Sequence, residues 1–266
     1  MTHFDPERWN AYTGRKTEEE SRAAWDQRAG SYARRSQMSS YHRKFLALMD
    51  ADPSWTALDV GSGPGTISLP LARTIKQVTA IDLSPKMIEA LRRQACDLGI
   101  ANIDAKVCSW GDDWDEAGVP VADVAFASRS SAAPDLESCL SKLDAHARRR
   151  ACLTTIHGDM PSHDRRLWEA VGRELPAPPD YIEVVDCLYD MGICCSVNFI
   201  PGERHMDFSS YDEGYQFVAG SFGDLSDSEA KRLQDFCREH LVFDRGSWTF
   251  DYKTTWSWAF LRWDKE

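Results

Sequence analysis

The sequence predicts an α/β fold with a mostly parallel sheet, and three observations lead to that class. A short apolar run, Ala57–Val60, meets glycines at positions 61, 63 and 65, and a helical apolar pattern follows. A second β-rich run, Gln77–Asp82, ends in an acid and leads into a helix that has proline in its first turn. Strand, helix, strand, helix is the order in which parallel sheets are built.

The glycine turn also predicts a ligand site. Gly61, Gly63 and Gly65 permit unusual backbone dihedrals and leave no Cβ between the main chain and a ligand. Asp82 follows at the end of the second strand, about 20 residues on, where a ribose diol finds a hydrogen-bond acceptor in nucleotide-binding folds. The turn alone leaves two classes open, because dinucleotide-binding and methyl-transferring folds both use one.

The two segments together resemble a known family. The runs Asp59–Gly65 and Asp82–Met87 look like the first motif and its successor in the class I S-adenosylmethionine-dependent methyltransferases. An acid before the first glycine, and a third glycine after one residue and not two, depart from the dinucleotide pattern. The resemblance implies S-adenosylmethionine as cofactor and S-adenosylhomocysteine as product. It also implies a doubly wound, seven-stranded sheet of order 3-2-1-4-5-7-6, with the seventh strand antiparallel.

The resemblance implies which residues of this chain contact each part of the cofactor. The methionine and ribose end is expected beside the glycine turn, with Asp82 on the ribose hydroxyls, and the adenine beside Leu83, Ser109 and Trp110. In the family the loop of Ser109 often holds an acid that accepts from the adenine amino group. A serine accepts more weakly, so stacking on Trp110 is expected to help hold the base, with core packing as the alternative for this indole. The predicted cofactor-binding residues are Tyr32, Asp59, Gly61, Ser62, Gly63, Gly65, Thr66, Asp82, Leu83, Met87, Ser109, Trp110 and Ser128.

The segment before the first strand extends the resemblance. The run Trp25–Tyr32 is similar to the pre-domain segment of many small-molecule methyltransferases, in which the tyrosine closes over the methionine end of the cofactor. Trp25 and Tyr32 are seven residues apart, so packing of both on the core is the alternative. Thr17 is expected to cap this helix, with Glu20 completing a capping box.

Two strand ends carry candidates for the chemistry. The fourth strand ends at Ser128 and Arg129, the position that faces the transferred methyl group in the family. Arginine binds carboxylates in bidentate fashion, so an anionic or oxygen-rich small molecule is the expected acceptor. His157 ends the fifth strand and is the candidate general base, because its unperturbed pKa of about 6.5 suits proton transfer at neutral pH. A structural role is the alternative for Arg129 and for His157.

Composition bears on partners and location. The net charge of −11 opposes attraction to nucleic-acid phosphates and to anionic membranes. No apolar stretch approaches the roughly 20 residues that span a bilayer, and the first residues lack an apolar signal core. A cytoplasmic protein with free thiols is therefore expected, and a homodimer is one candidate assembly.

The chain is expected to divide into an N-terminal helical cap over residues 1–50 and a Rossmann-like domain over residues 51–266. A helical insertion at about 205–245 is expected to form a lid with the N-terminal helices, with helices over 211–222 and 227–241. The pattern of residues 181–191 is ambiguous between helix and strand.

Three other functions stay open from the sequence alone. A non-catalytic S-adenosylmethionine-binding sensor or assembly module would bind cofactor without turnover. A dinucleotide-dependent oxidoreductase is disfavoured by Asp59 and by the glycine spacing. Cys187, Cys194 and Cys195 with His205 raise a metal or metalloid site, but their spacings match no standard zinc pattern, and no metal is predicted.

Overall fold

A computed structural model of the chain describes residues 2–35, 38–131, 133–157, 164–175, 179–204 and 206–265. The chain falls into two compact units. The first comprises Met1–Thr155, Pro179–Ile200 and Ala259–Glu266, and the second comprises Ile156–Pro178 and Pro201–Trp258. The predicted division into a cap over residues 1–50 and a domain with an inserted lid stays a prediction.

Strands and helices alternate over residues 56–107, as the sequence predicts. The described helices are α1 (Pro6–Thr13), α2 (Glu18–Arg35), α3 (Ser40–Met49), α4 (Ser68–Ala72), α5 (Pro85–Asp97), α6 (Leu136–Ala145), α7 (Arg165–Val171), α8 (Tyr181–Asp190), α9 (Tyr211–Ala219) and α10 (Asp227–His240). The described strands are β1 (Thr56–Val60), β2 (Gln77–Asp82), β3 (Ile103–Val107), β4 (Ala122–Ser128), β5 (Ala147–His157), β6 (Ser196–Arg204), β7 (Asp207–Phe208), β8 (Leu241–Asp244), β9 (Ser247–Phe250) and β10 (Thr254–Asp264).

The main sheet has seven strands in the order β3-β2-β1-β4-β5-β10-β6. Since β10 is the seventh of these strands along the chain, the predicted order 3-2-1-4-5-7-6 is confirmed. The β1–β2, β1–β4, β2–β3 and β4–β5 pairs are parallel, so these strands end at one edge of the sheet. Ligands collect at that edge in open parallel sheets. The antiparallel direction of the last strand stays a prediction.

The core of the first unit lies on the central strands of this sheet. Leu58 and Phe126 are fully buried, as expected for strands covered on both faces. From α3, Phe45 packs edge-on against Phe260 at 5.2 Å between ring centroids and lies 5.5 Å from Phe126. This burial fixes α3 on the sheet and thereby positions Tyr41, one turn earlier in α3, at the ends of β4 and β5.

Several helix starts follow their capping sequences. The backbone N–H of Thr17 donates to Glu20 Oε2 at 2.8 Å, and that of Glu20 to Thr17 Oγ1 at 3.2 Å, which confirms the predicted capping box. The segment 181–191, ambiguous in the sequence, is helical up to Asp190 and forms α8, which begins at a capping box between Asp180 and Glu183. The buried Glu183 also pairs with Arg8 of α1. No helix among the described residues is long and apolar enough to cross a bilayer.

The second unit has its own small core. Helices α9 and α10 confirm the two predicted helices, and Ser226 and Glu229 form a capping box at the start of α10. The three-stranded antiparallel sheet β7-β9-β8 was not predicted from the sequence. Its β8–β9 turn contains Arg245 and Gly246, both with positive φ, a two-residue hairpin without the usual Asn-Gly signal. The buried core residues are Leu167, Val171, Phe208, Val218, Phe222, Leu233, Cys237, Leu241 and Phe250.

Candidate active site

A cavity of about 570 Å³ opens where β1, β2, β3 and β4 end, within the range that small-molecule sites occupy. It brings together most of the predicted site. The predicted residues in its wall are Tyr32, Asp59, Gly61, Ser62, Gly63, Thr66, Asp82, Leu83, Met87, Ser109, Trp110, Ser128 and Arg129. Gly65 and His157 are not among the lining residues.

The glycine turn presents bare main chain to this cavity. The N–H groups of Gly61 and Ser62 both donate to the carbonyl of Ile81 at the end of β2, at 2.8 and 3.0 Å. A side chain at Gly61 would collide with Ser130. Gly63, with φ of +55°, has no atom of the described residues within 4 Å of the position a Cβ would take. That open side leaves room for a ligand to lie directly against the backbone.

Gly65 serves packing. Its φ is +88°, and a Cβ there would lie 3.0 Å from the side chains of Leu69 and Leu91. The glycine therefore lets the turn close against α4 and α5. Its predicted contact with cofactor stays a prediction.

Asp82 is held in place by the same turn. Its Oδ2 accepts from the N–H of Gly63 at 2.8 Å, and its Oδ1 from the N–H of Ser84 at 2.9 Å. Burial raises the pKa of Asp82, and these two backbone hydrogen bonds oppose that rise. Each carboxylate oxygen retains accepting capacity, which suits a diol in the cavity.

Asp59 is a second acid in the wall. It is buried, and Ser68 of α4 donates to its Oδ2 at 2.6 Å. Burial raises the pKa of Asp59 to about 7, with a smaller contribution from the charge of Asp82, and the Ser68 hydrogen bond opposes the rise. A cation bound in the cavity would favour the charged form of this carboxyl.

Ser109, expected to meet adenine, already uses its hydroxyl. Its Oγ donates to Glu18 Oε2 at 2.9 Å and accepts from the N–H of Gly111 at 3.1 Å. Glu18, on the first turn of α2, lies in the cavity wall beside it. Glu18 was not predicted from the sequence, because an acid in the first turn of a helix is usually explained by the helix dipole alone.

Trp110 fits both of its interpretations. Its indole Nε1 donates to the carbonyl of Ser130 at 2.7 Å, and its ring lies 5.2 Å from that of Trp114, tilted by 35°. The residue packs against the buried core and also lines the cavity. The hydrogen bond fixes the plane of the indole ring, and stacking of an adenine on this ring stays a prediction.

The end of β4 is tied to α3. Tyr41 Oη hydrogen-bonds with Ser128 Oγ at 2.8 Å and with Thr154 Oγ1 at 2.6 Å. The guanidinium of Arg129 stacks over the Tyr41 ring, and its Nη2 lies 3.3 Å from His42 Nε2. Burial, and then the charge of Arg129, lower the pKa of His42 to about 4, which leaves this imidazole neutral at pH 7. Tyr41 and His42 were not predicted, since in the sequence they read as an ordinary helix face.

Tyr32 and Trp25 meet on α2. Their rings are 5.9 Å apart in an edge-on arrangement, both line the cavity, and they are 39% and 36% exposed. That exposure disfavours the alternative in which both pack on the core.

His157 ends β5, within the second unit, and is half-buried. Its role as a base stays a prediction.

The three cysteines considered as metal or metalloid ligands differ in their exposure to solvent. Cys187 is buried, Cys195 is half-buried and Cys194 is exposed. His205 lies outside the described residues. Within the described ranges no three His, Cys, Asp or Glu side chains group so as to hold a metal ion.

Comparison with known proteins agrees with this geometry. A family model described as a methyltransferase domain matches residues 57–150. An uncharacterised protein of Haemophilus influenzae is 35% identical over 217 residues, covering 80% of this chain and 79% of its own length. Nocamycin O-methyltransferase of Saccharothrix syringae is 29% identical over 130 residues, 47% of this chain and 45% of that protein.

A solved structure shows the same fold. Precorrin-6y C5,15-methyltransferase of Geobacter metallireducens superposes with a TM-score of 0.51 and 11% identity, over 84% of this chain and 86% of that one. The cavity at the sheet edge, the bare glycine turn and the acid at the end of β2 provide what a nucleoside-containing cofactor needs. The chain belongs to the class I S-adenosylmethionine-dependent methyltransferases, and its cofactor is S-adenosylmethionine.

Proposed function

We propose that this enzyme methylates an anionic or oxygen-rich small molecule that binds beside Arg129. One observation carries the proposal. Arg129 directly follows β4 in the cavity wall with φ of +57°, a left-handed backbone that is rare for a side chain of this size. Such backbone strain costs of order 1–3 kcal/mol. It persists where contacts with the surrounding structure hold the residue in that conformation, often at functional sites.

The local contacts suit Arg129 to bind a carboxylate. Stacking on Tyr41 and the approach to His42 restrict the guanidinium plane, so less freedom is lost when a ligand binds. The planar fork of an arginine matches the two oxygens of a carboxylate. Ser128, hydrogen-bonded to Tyr41, adds a hydroxyl at the same strand end.

The cofactor residues divide the work of binding. The open main chain at Gly63 would accept the cofactor against the turn, Asp82 would accept from its ribose hydroxyls, and Asp59 would favour a positively charged group nearby. When bound, S-adenosylmethionine supplies a methyl group activated by a positive sulfur. The protein then has to align the acceptor and exclude water, and Tyr32 is proposed to help close that end of the cavity.

The proton of an acceptor hydroxyl needs a base. We keep His157 as the proposed base, because it ends β5, a strand of the main sheet. His42, with a pKa of about 4, is a weaker base at neutral pH than an ordinary histidine. Loss of activity in His157→Gln would support this role.

The remaining proposals concern partners and location. A net charge of −11 supports a small molecule over a nucleic acid as substrate. Cysteines without disulfides support a cytoplasmic location. A homodimer is the proposed assembly, and sedimentation of the purified chain tests it directly.

Calorimetry followed by an acceptor screen tests the function. S-Adenosylmethionine and S-adenosylhomocysteine are expected to bind with micromolar Kd, about −8 kcal/mol, and NAD not to compete. Small carboxylic acids would then be compared with their amides as acceptors of labelled methyl. Turnover of acids but not of amides supports the proposal. Cofactor binding with methylation of the amides equal to that of the acids would overturn the part assigned to Arg129.

A further inference from the structure

We infer that the carboxylate of Glu18 in α2 accepts a hydrogen bond from the amino group of the cofactor's adenine. Specificity for the base would then reside on the N-terminal helix and not on the sheet. The inference rests on the proposed function of the cavity as the cofactor site. It starts from the wall around Ser109, where three neighbours, Glu18, Ser109 and Trp110, line the same cavity.

The strongest hydrogen-bond acceptor in this part of the wall is the carboxylate. Ser109 gives its only hydroxyl hydrogen to Glu18 and takes one from the N–H of Gly111, so it has one lone pair left. Glu18 Oε2 accepts that single hydrogen and keeps a second accepting site. A charged acceptor forms hydrogen bonds roughly twice as strong as a neutral one.

Two contacts restrict the orientation of the Glu18 side chain, which is 45% exposed. Its Oε1 accepts from Arg22 Nη2 at 2.8 Å, one turn further along α2, so the two oxygens of the carboxylate have separate partners. The adjoining Thr17–Glu20 capping box sets the backbone of this first turn. Glu18 is therefore held at the wall.

A second contact keeps α2 over the site. Asp26, two turns on, accepts from Ser84 Oγ at 2.5 Å and from the N–H of Lys86 at 3.3 Å. Both donors belong to the N-terminus of α5, where the helix dipole favours a negative charge. Asp26 and Glu18 thus join α2 to the segments that follow β2 and β3.

The combination selects one kind of base. The indole of Trp110, oriented by its bond to Ser130, offers a flat surface, and Glu18 offers an acceptor without a donor. An aminopurine presents a donating amino group to such a wall. A 6-oxopurine presents a carbonyl oxygen there, which a carboxylate repels.

The experiment compares S-adenosylhomocysteine with S-inosylhomocysteine, its 6-oxo analogue, by calorimetry. Wild-type protein is expected to bind the adenine form at least about 10-fold tighter. In Glu18→Gln the amide can donate to the oxo group, and the preference is expected to fall below about threefold. Glu19→Gln, on the same turn but outside the cavity wall, is the matched control and keeps the wild-type ratio.

A further variant separates Glu18 from Ser109. Ser109→Ala removes the hydroxyl and leaves the carboxylate, so the preference for adenine is expected to remain. Loss of the preference in Ser109→Ala, together with its retention in Glu18→Gln, would overturn the inference and assign the base to Ser109. An unchanged ratio in Glu18→Gln with normal S-adenosylhomocysteine binding overturns the inference alone. Failure of folded wild-type protein to bind S-adenosylhomocysteine overturns the proposed cofactor site as well.

Discussion

The guanidinium carbon of Arg129 lies 4.5 Å from the centroid of the Tyr41 ring, while the hydroxyl of the same tyrosine bonds to Ser128 and Thr154. One side chain of α3 thus supports the arginine with its face and ties β4 to β5 with its edge. Thr154 Oγ1 also accepts from the N–H of Arg129 at 3.0 Å. The conformation of Arg129 therefore depends on a helix almost 90 residues earlier in the chain.

Removal of the Tyr41 hydroxyl is expected to cost stability. Tyr41→Phe keeps the ring under Arg129 but leaves the hydroxyls of Ser128 and Thr154 without this partner, and a buried polar group that loses its hydrogen bond costs about 1–3 kcal/mol. Urea unfolding should show that loss. Tyr189→Phe, at an exposed tyrosine, is the control and should unfold like wild type. Equal stability of Tyr41→Phe would show that the network contributes nothing.

Arg129→Lys is expected to raise the KM for the acceptor by about 10-fold or more, because the charge stays but the bidentate fork is lost. The Kd for S-adenosylhomocysteine should change by less than about threefold, since the cofactor contacts are assigned to other residues. Steady-state kinetics and calorimetry separate the two effects. An acceptor KM equal to wild type in Arg129→Lys would remove this residue from substrate binding.

The parts of the site that the sequence predicted are those fixed by local backbone. Gly61, Gly63 and Asp82 act through main-chain dihedrals and strand ends, which short motifs encode. Glu18 lies in the cavity wall and Tyr41 supports that wall beneath Arg129, and they make contacts 91 and 113 residues away in sequence, with Ser109 and Thr154 respectively. Without a second sequence, no local pattern distinguishes such residues from an exposed acid or a core aromatic.

Two glycines of the turn are expected to respond differently to alanine. Gly61→Ala forces a Cβ against Ser130 and should destabilise the fold by more than Gly63→Ala, whose cost is limited to the left-handed backbone, about 1 kcal/mol. Gly63→Ala should instead weaken S-adenosylhomocysteine binding, about 10-fold or more, because the methyl group enters the cavity. Urea unfolding and calorimetry on both variants test this. Wild-type affinity in Gly63→Ala would place the ligand away from that turn.

The buried Asp59 predicts a specific dependence of stability on pH. Its pKa rises from 3.8 to about 7 on folding, so between these values the folded state binds more protons than the unfolded state. The stabilisation is complete below about pH 4 and is lost as pH rises towards 7, where the carboxylate charge has to be buried. The whole span corresponds to about 4 kcal/mol in the free energy of unfolding.

Asp59→Asn isolates this contribution. The asparagine amide still accepts a hydrogen bond from Ser68 and does not ionise. The free energy of unfolding of Asp59→Asn should therefore not fall between about pH 4 and pH 7 through ionisation of this side chain. Urea unfolding of both proteins at intervals from pH 5 to pH 8 gives a difference in which the other titrating groups cancel. As pH rises, the free energy of unfolding of Asp59→Asn should increase relative to that of wild type. The difference should level off above pH 7, because the carboxyl is then ionised in both the folded and the unfolded wild type. Parallel curves for the two proteins would show that Asp59 is already charged in the folded state at pH 5, and that Ser68 and the turn stabilise the carboxylate more strongly than burial destabilises it.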